Sequence, residues 1–488
     1  MGWKEAAAPV LTRMPSVVRP TGHVSFSRKL LWTAGILVLY FFLTNVTLYG
    51  LQTTGGSDFF GQFRSILAGA QGSILQLGIG PIVTASIVLQ LLGGADLLGL
   101  DTNDPYDQIL YQGLQKLLVI VMVILTGLPM VFAGGFLPAD PQVASVLGIG
   151  LGGVQALIFA QIFVGGVLIL FMDEIVSKWG VGSGVGLFII AGVSQQLVAG
   201  FFSWEALGQQ SGFFPTWIAI ITGAVEIGSP LTGDGLSDLF LGSGQLLALI
   251  TTLLIFIIVV YAESVRVEIP LSHARVKGAR GRFPVKLIYA SVLPMILVRA
   301  VQANIQFLGQ ILNSTWAAMP GWVGTYSQGQ ITGGLFWYLA PIQSRQDWMW
   351  FLGFTAADPL DIAARVAIDL IFMVIGGAIF AIFWVETTGM GPDATAAQIQ
   401  RSGMQIPGFR RNPQVIEKVM ERYIPQVTVI GGALVGVLAV GANMLGTIGS
   451  VSGTGLLLTV SITYKLYEEI AEEQLMEMHP MMRQMFGD

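Results

Sequence analysis

In a chain this apolar, any chemistry must come from a few residues, and the sequence offers three groups of them. The first is a pair of ionisable residues inside long apolar runs, Arg299 and Asp369. A charge at that depth marks an ion pathway, a relay or a buried partner. A proton or sodium relay needs more than two such groups, so each is read as facing an aqueous vestibule or pairing with a neighbour. The second group is basic. Between Glu263 and Lys286 stand Arg266, Arg275, Lys277, Arg280, Arg282 and Lys286, against only Glu263 and Glu268, a local balance of +4 in a chain of net charge −5. Arg275, Lys277, Arg280 and Arg282 crowd around Gly278 and Gly281, as a hairpin tip in water would, and Arg410 with Arg411 makes a second tip. Arginine and lysine at such tips bind phosphate surfaces such as RNA by displacing counterions. Anionic lipid is the rival target, and it favours residues that hug the membrane. The third group is the glycine run "GVGSGVG" at 180–186, which does not fit GxGxxG because Val185 and Leu187 stand where glycine is required.

Recognisable bond-breaking devices are absent. There is no GxxxxGK[ST], no HExxH and no GxSxG. Cysteine is missing altogether, and His23, His273 and His479 are not at ligand spacing. The sequence is therefore read as no enzyme, with no catalytic, metal or cofactor-binding residue. Energy for any movement of cargo has to come from elsewhere.

The elements that position these residues are mostly membrane spans. Hydrophobic residues make up 53% of the chain and charged ones 11%, with a mean hydropathy of +0.71; soluble domains sit near about 45–50% and about 25%. A helix needs roughly 20 apolar residues to span. Ten segments approach that: 30–48, 75–92, 114–136, 143–172, 184–202, 245–262, 285–311, 363–385, 427–445 and 451–464. With the first 29 residues cytoplasmic, 20 of the 24 Lys and Arg fall on the cytoplasmic side, so both termini and both basic loops are expected there. The N-terminal stretch is polar and leads directly into a span, unlike a cleaved signal peptide. Five helices per half forces the halves into opposite orientations, the arithmetic of an inverted repeat. The expected class is an all-α integral membrane protein, ten transmembrane helices in two inverted five-helix halves. Its parts are an N-terminal segment (1–29), a first half (30–203), an external loop (204–244), a second half (245–468) with basic loops at 262–286 and 387–424, and a tail (469–488). Trp316, Trp322, Trp337, Trp348 and Trp350 read as an interfacial belt.

One region does not fit a plain span. "GGSDFFGQFRSILAGAQGS" (55–73) is too polar to cross, and Gly78, Gly80 and Pro81 loosen the start of "LGIGPIVTASIVLQLL" (77–92). A half-helix folded back before a broken span is tolerated only where it lines a cavity. Together with "MDEIVSKWGVGSGVGLFIIAGVSQ" (172–195), "YAESVRVEIPLSHARVKGARGRFPVK" (261–286), "FWVETTGM" (383–390) and "GGALVGVLAVGANMLGTIGSVSGTGLLLTVSITYKLYEE" (431–469), this resembles the SecY family, the large subunits of the Sec protein-conducting channel, in their archaeal form.

The resemblance covers nearly the whole chain in order, and it implies more than the residues alone. It implies a central hourglass pore between the halves, through which unfolded polypeptide passes, and a seam that releases hydrophobic segments sideways into lipid. A ring at the waist would be formed by Ile79, Val83, Val185, Ile189, Leu293 and Leu458; the pairs 79/83 and 185/189 are each i,i+4 and share a helix face. A plug would comprise Ser57, Asp58, Phe59, Phe60, Gly61, Gln62, Phe63, Arg64, Ser65, Ile66 and Leu67, a segment that holds up no core by its weak apolar patterning. Gln90, Asn304 and Gln306 would lie along the seam, with plain interhelical hydrogen bonds as the alternative. Arg266, Arg275, Lys277, Arg280, Arg282, Arg410 and Arg411 would meet the ribosome. Implied partners are a SecE/gamma subunit, a small beta subunit, the translating ribosome, the signal-recognition-particle pathway, secretory and membrane protein substrates and membrane lipid, all at the plasma membrane. The readings set against this one are a secondary transporter of a small solute with inverted repeats and an intramembrane enzyme.

Overall fold

Backbone groups in lipid must be bonded within the chain, so long apolar runs become helices. The computed structural model describes residues 3–478 apart from 23, 53–63, 95–97, 101–103, 134–135, 205–211, 225–234, 236–238, 243, 274–279, 287–292, 317–318, 328–329, 354, 356, 389, 402–403, 406–412 and 450. For Arg64, Ser65, Arg280 and Arg282 it describes the backbone alone. Before residue 245 come α1 Trp3–Leu11, α2 Phe26–Thr44, α3 Arg64–Leu67, α4 Gly80–Gly94, α5 Pro105–Phe132, α6 Pro141–Leu147, α7 Gly150–Trp179, α8 Gly184–Phe202 and α9 Phe213–Ile221. After it come α10 Leu246–Ser264, α11 Leu293–Thr315, α12 Leu335–Tyr338, α13 Pro359–Thr387, α14 Pro392–Arg401, α15 Pro413–Leu445 and α16 Gly453–Met478.

Among the described residues, eight helices are long and apolar enough to cross a membrane: α2, α5, α7, α8, α10, α11, α13 and α15. The chain is a multi-pass membrane protein. The two remaining expected spans are helices too. The apolar helix α4 is short, and α16 is apolar only in its first half before acquiring Lys465, Glu468 and Glu469. Entry signals are local: Asp104 accepts the Tyr106 amide (3.2 Å) ahead of Pro105, and Asp140 accepts the Gln142 amide (2.8 Å) ahead of Pro141.

Most expected span boundaries shift by a few residues or more, and the expected span 143–172 is broken between α6 and α7 at Gly148, whose φ is +65°; two further differences lie near the candidate site. Residues 75–79 form turns, not helix, because Gly78 has φ +52°. Residues 285–286 belong to a strand, and the helix is described only from Leu293. Apolar residues continue through that junction, so hydropathy does not mark it; pairing with the preceding strand does. That pairing joins β1 (Arg266–His273) to β2 (Arg280–Lys286) as an antiparallel hairpin, in register from Arg266↔Lys286 to Ser272↔Arg280. A second small hairpin pairs β3 (Thr325–Ser327) with β4 (Gln330–Gly333). The two-residue strand β5 (Met404–Gln405) adds to β1 at Ser272↔Gln405 and His273↔Met404, so the two basic loops share one sheet.

Packing between the long helices relies on close backbone approach, the usual device where lipid is as apolar as leucine. α13 meets α15 at Gly377 and Gly432, where a Cβ on Gly432 would come 2.5 Å from the Gly377 carbonyl oxygen. α4 packs against α5 on one side and against α11 and α13 on the other. That second contact joins the first half to the second, and the candidate site lies along it.

Candidate functional site

The broken start of α4 is held by the short helix before it. The Leu67 carbonyl accepts the Ile79 amide at 2.7 Å, and Tyr40 donates its hydroxyl to the Ala68 carbonyl at 2.8 Å. Gly78 cannot be anything larger: a Cβ there would sit 2.1 Å from the Leu67 oxygen. Ile66, Leu67 and Ala68 are buried, and Leu67 packs on Ala303 of α11. Although α3 is one turn long, it touches α8, α11 and α16 and bonds to the start of α4. It therefore sits where α8, α11, α16 and the start of α4 meet; these helices carry five of the six expected ring residues, and Ile79 stands in the turn just ahead of α4.

Of those six, Ile79, Val83, Ile189 and Leu458 are buried, the first and the last two completely. Val185 and Leu293 are half-buried against the same apolar core. That core runs through most of the molecule, so membership alone does not distinguish a gate from ordinary packing. What the described residues add is that α3 lies against the elements that bear these six. Ser57, Asp58, Phe59, Phe60, Gly61, Gln62 and Phe63 of the expected plug lie outside the described residues; Arg64, Ser65, Ile66 and Leu67 form α3. The expectation that this segment holds up no core does not extend to its end, where the run Ile66–Leu67–Ala68 is buried. Averaging over the polar, glycine-bearing segment hid those three residues.

The three seam candidates separate. Asn304 on α11 donates Nδ2 to Thr84 Oγ1 on α4 at 3.1 Å, a bond across the junction of the halves. Gln306 turns the other way and donates to the Phe336 carbonyl on α12 at 3.0 Å. Gln90 is buried, and its Oε1 has no hydrogen-bond partner among the described residues. The partner that the sequence reading missed is Thr84, whose only signal is one hydroxyl inside "PIVTASIVLQLL".

Arg299 and Asp369 pair with each other. The guanidinium Nη1 stands 3.5 Å from Asp369 Oδ1 and donates to Gln302 Oε1 at 2.6 Å, while Nη2 donates to Thr454 Oγ1 at 3.1 Å. Gln302 Nε2 donates to Asp369 Oδ1 at 3.0 Å, and the Ile342 amide to Asp369 Oδ2 at 3.1 Å. Thr454 in turn bonds Asn443 on α15. A buried ion pair is tolerable only when the remaining lone pairs and protons find partners, and here four helices supply nearly all of them. Only Arg299 Nε is left over. None of Gln302, Thr454, Asn443 and Ile342 carried a readable signal of this role.

At the basic end, Arg266 Nη2 lies 3.5 Å from Glu468 Oε1 on α16, and Lys286 pairs with the same carboxylate. Arg266 thus braces the base of the hairpin. The backbones of Arg280 and Arg282 run in β2, opposite Ser272 and Pro270. Arg275, Lys277, Arg410 and Arg411 lie outside the described residues.

Comparison with known proteins agrees with this architecture. The SecY family profile matches residues 73–467, and the profile described as the plug domain of Sec61p matches residues 38–72. The chain belongs to the SecY family. A relative from Haloferax volcanii, called protein translocase subunit SecY, is 82% identical over 488 residues, covering 100% of both chains. The solved structure described as a protein conducting channel aligns at TM-score 0.78 and 36% identity, covering 97% of this chain and 98% of that one. Sec61 from the canine ribosome-channel complex aligns at TM-score 0.75 and 35% identity, over the same shares. The SecY profile begins just after α3 and the plug profile ends just before the turns into α4, so both parts of the convergence are family features.

Proposed function

We propose that this chain is the pore-forming subunit of a protein-conducting channel at the plasma membrane, with both termini and both basic loops cytoplasmic. The observation that carries the reading is the placement of α3 against α8, α11 and α16, with its Leu67 carbonyl bonded to Ile79 just ahead of α4. Ile79, Val83, Val185, Ile189, Leu293 and Leu458 form an apolar waist, and the segment 57–67 closes it. Water in an apolar neck lacks partners, so the neck dewets and resists ions, while soft aliphatic side chains part around a polypeptide. Thr84 and Asn304 close the sideways exit to lipid, with Gln90 and Gln306 in the same helices. Arg280 and Arg282, with Arg275, Lys277, Arg410 and Arg411, present cations to ribosomal RNA; the shared sheet of the two loops and the salt-dependent chemistry of phosphate binding support that role. A SecE/gamma subunit, a small beta subunit and the signal-recognition-particle pathway complete the assembly. The chain performs no bond chemistry of its own, and chain elongation supplies the push. A coupled transporter is disfavoured by the Arg299–Asp369 pair, which is already satisfied inside the protein.

The test is the waist. Ile79→Ser combined with Ile189→Ser supplies hydroxyl partners for water in the neck, and the resting channel is expected to pass ions in planar bilayers well above the parent protein. Parental conductance in the double variant would remove these residues from the ring.

A further inference from the structure

The glycine run 180–186 does not fit GxGxxG, and its backbone is held by neighbouring helices. It connects α7 to α8. Ser183 stands at the N-cap position of α8 with an extended backbone, the residue type that ordinarily accepts a first-turn amide. Its side chain makes no such bond. The Val185 amide instead donates to Asp173 Oδ1, on the last turns of α7, at 2.9 Å. The approach is close enough that a Cβ on Gly184 would lie 2.5 Å from that same oxygen and 2.6 Å from the Asp173 Cα. On the other side of the turn, Thr33 of α2 accepts the Val181 amide at 3.0 Å. The entry to α8 is thus clamped from two neighbouring helices, and its own cap residue is left unused.

We propose that Asp173 is a positioning residue for the constriction. Its carboxylate fixes the first turn of α8, which sets the height and rotation of Val185 and, one turn on, of Ile189. The proposal rests on the reading of those two residues as members of the waist. Without the acceptor, the Val185 amide loses its partner, the first turn frays, and Val185 withdraws from the neck. A carboxylate is not required for this; an oxygen acceptor of the same reach is.

The test uses the channel purified from membranes with its associated subunits. Asp173→Leu keeps the branched shape, with bulkier methyls, and removes the acceptor, while Asp173→Asn keeps an acceptor oxygen. Two quantities are read: hydrogen exchange at the Val185 amide and resting potassium conductance in planar bilayers. The leucine variant is expected to exchange about fivefold faster at Val185, the effect of losing a helix cap of ordinary strength, and to leak ions. The asparagine variant should match the parent in both. Combined with Val185→Ser, the leucine variant should leak less than the sum of the two single effects, because both act through the first turn of α8. Unchanged exchange at Val185, or leaks that simply add, would overturn the proposal. A merely structural role would lower the yield but leave the closed conductance of the surviving channels at the parental value, and that too would overturn it. If Asp173→Leu fails to accumulate, Asp173→Ala is read in the same way. Should Val185→Ser itself conduct like the parent, the waist assignment fails and the gating role falls with it, while faster exchange in the leucine variant would still identify the clamp.

Discussion

The two sides of helix α11 are held very differently. On one side Arg299 and Gln302 enter a network that reaches Asp369 on α13, Thr454 on α16 and the Ile342 amide beyond α12. On the other side, toward the first half, Asn304 makes one bond to Thr84, and the remaining contact is apolar: Leu67 packs on Ala303, the Phe307 ring centre lies 6.1 Å from that of Phe136, and the large core is shared by both halves. The first side welds α11 to its own half through charge that cannot be left unpaired in lipid. The second joins it to the other half through neutral groups that lose little by separating. A boundary built in that way can part while each half stays intact, as sideways release of a hydrophobic segment requires.

Breaking the strong side should have the largest effect. Asp369→Leu leaves the Arg299 guanidinium buried without its counter-ion, a change that costs about 3–5 kcal/mol. The thermal unfolding midpoint in detergent should fall sharply or the protein should fail to accumulate; an unchanged midpoint would mean that the network is not a weld. Thr84→Val deletes the cross-junction bond, and interhelical bonds in membranes average about 0.6 kcal/mol. Its midpoint should shift little, and the sideways exit of an apolar segment, followed by photocrosslinking to lipid, should quicken. Equal losses in these two variants would erase the difference between the sides. The smallest effect on stability belongs to Arg280→Glu with Arg282→Glu, in a hairpin distant from both. Assembly should be parental, whereas co-sedimentation with ribosomes should weaken and lose part of its salt dependence. Unchanged binding across a salt series would leave the basic loop with topology alone to explain it.

How much of this the sequence carries depends on distance along the chain. The i,i+4 spacing of Val185 and Ile189 in α8 follows from a fixed helical period, whereas Ile79 stands just ahead of α4 and only its carbonyl joins the helix, accepting the Val83 amide at 3.0 Å; the spans follow from hydropathy. The broken start of α4 was readable because Gly78, Gly80 and Pro81 are local signals. Partnerships between distant residues were not. Asn304 and Thr84 are 220 residues apart, and nothing in either neighbourhood names the other. Arg299 and Asp369 were each conspicuous, but their mutual pairing and the contribution of Thr454 depend on how three helices pack. The strand β5 is two residues long, too short for any alternation to register, and it pairs only because β1 is already in place.

The helix α16 holds the counter-charges for three basic residues in two earlier parts of the chain. Glu473 pairs with Lys29 at the start of α2, and Glu468 pairs with Arg266 and Lys286 at the base of the hairpin. Chains emerge and fold from the N-terminus onward, so none of these ties can form until α16 is made. A nascent copy therefore carries Lys29, Arg266 and Lys286 without these partners until α16 emerges, and a copy truncated before Glu468 would lack all three ties at once.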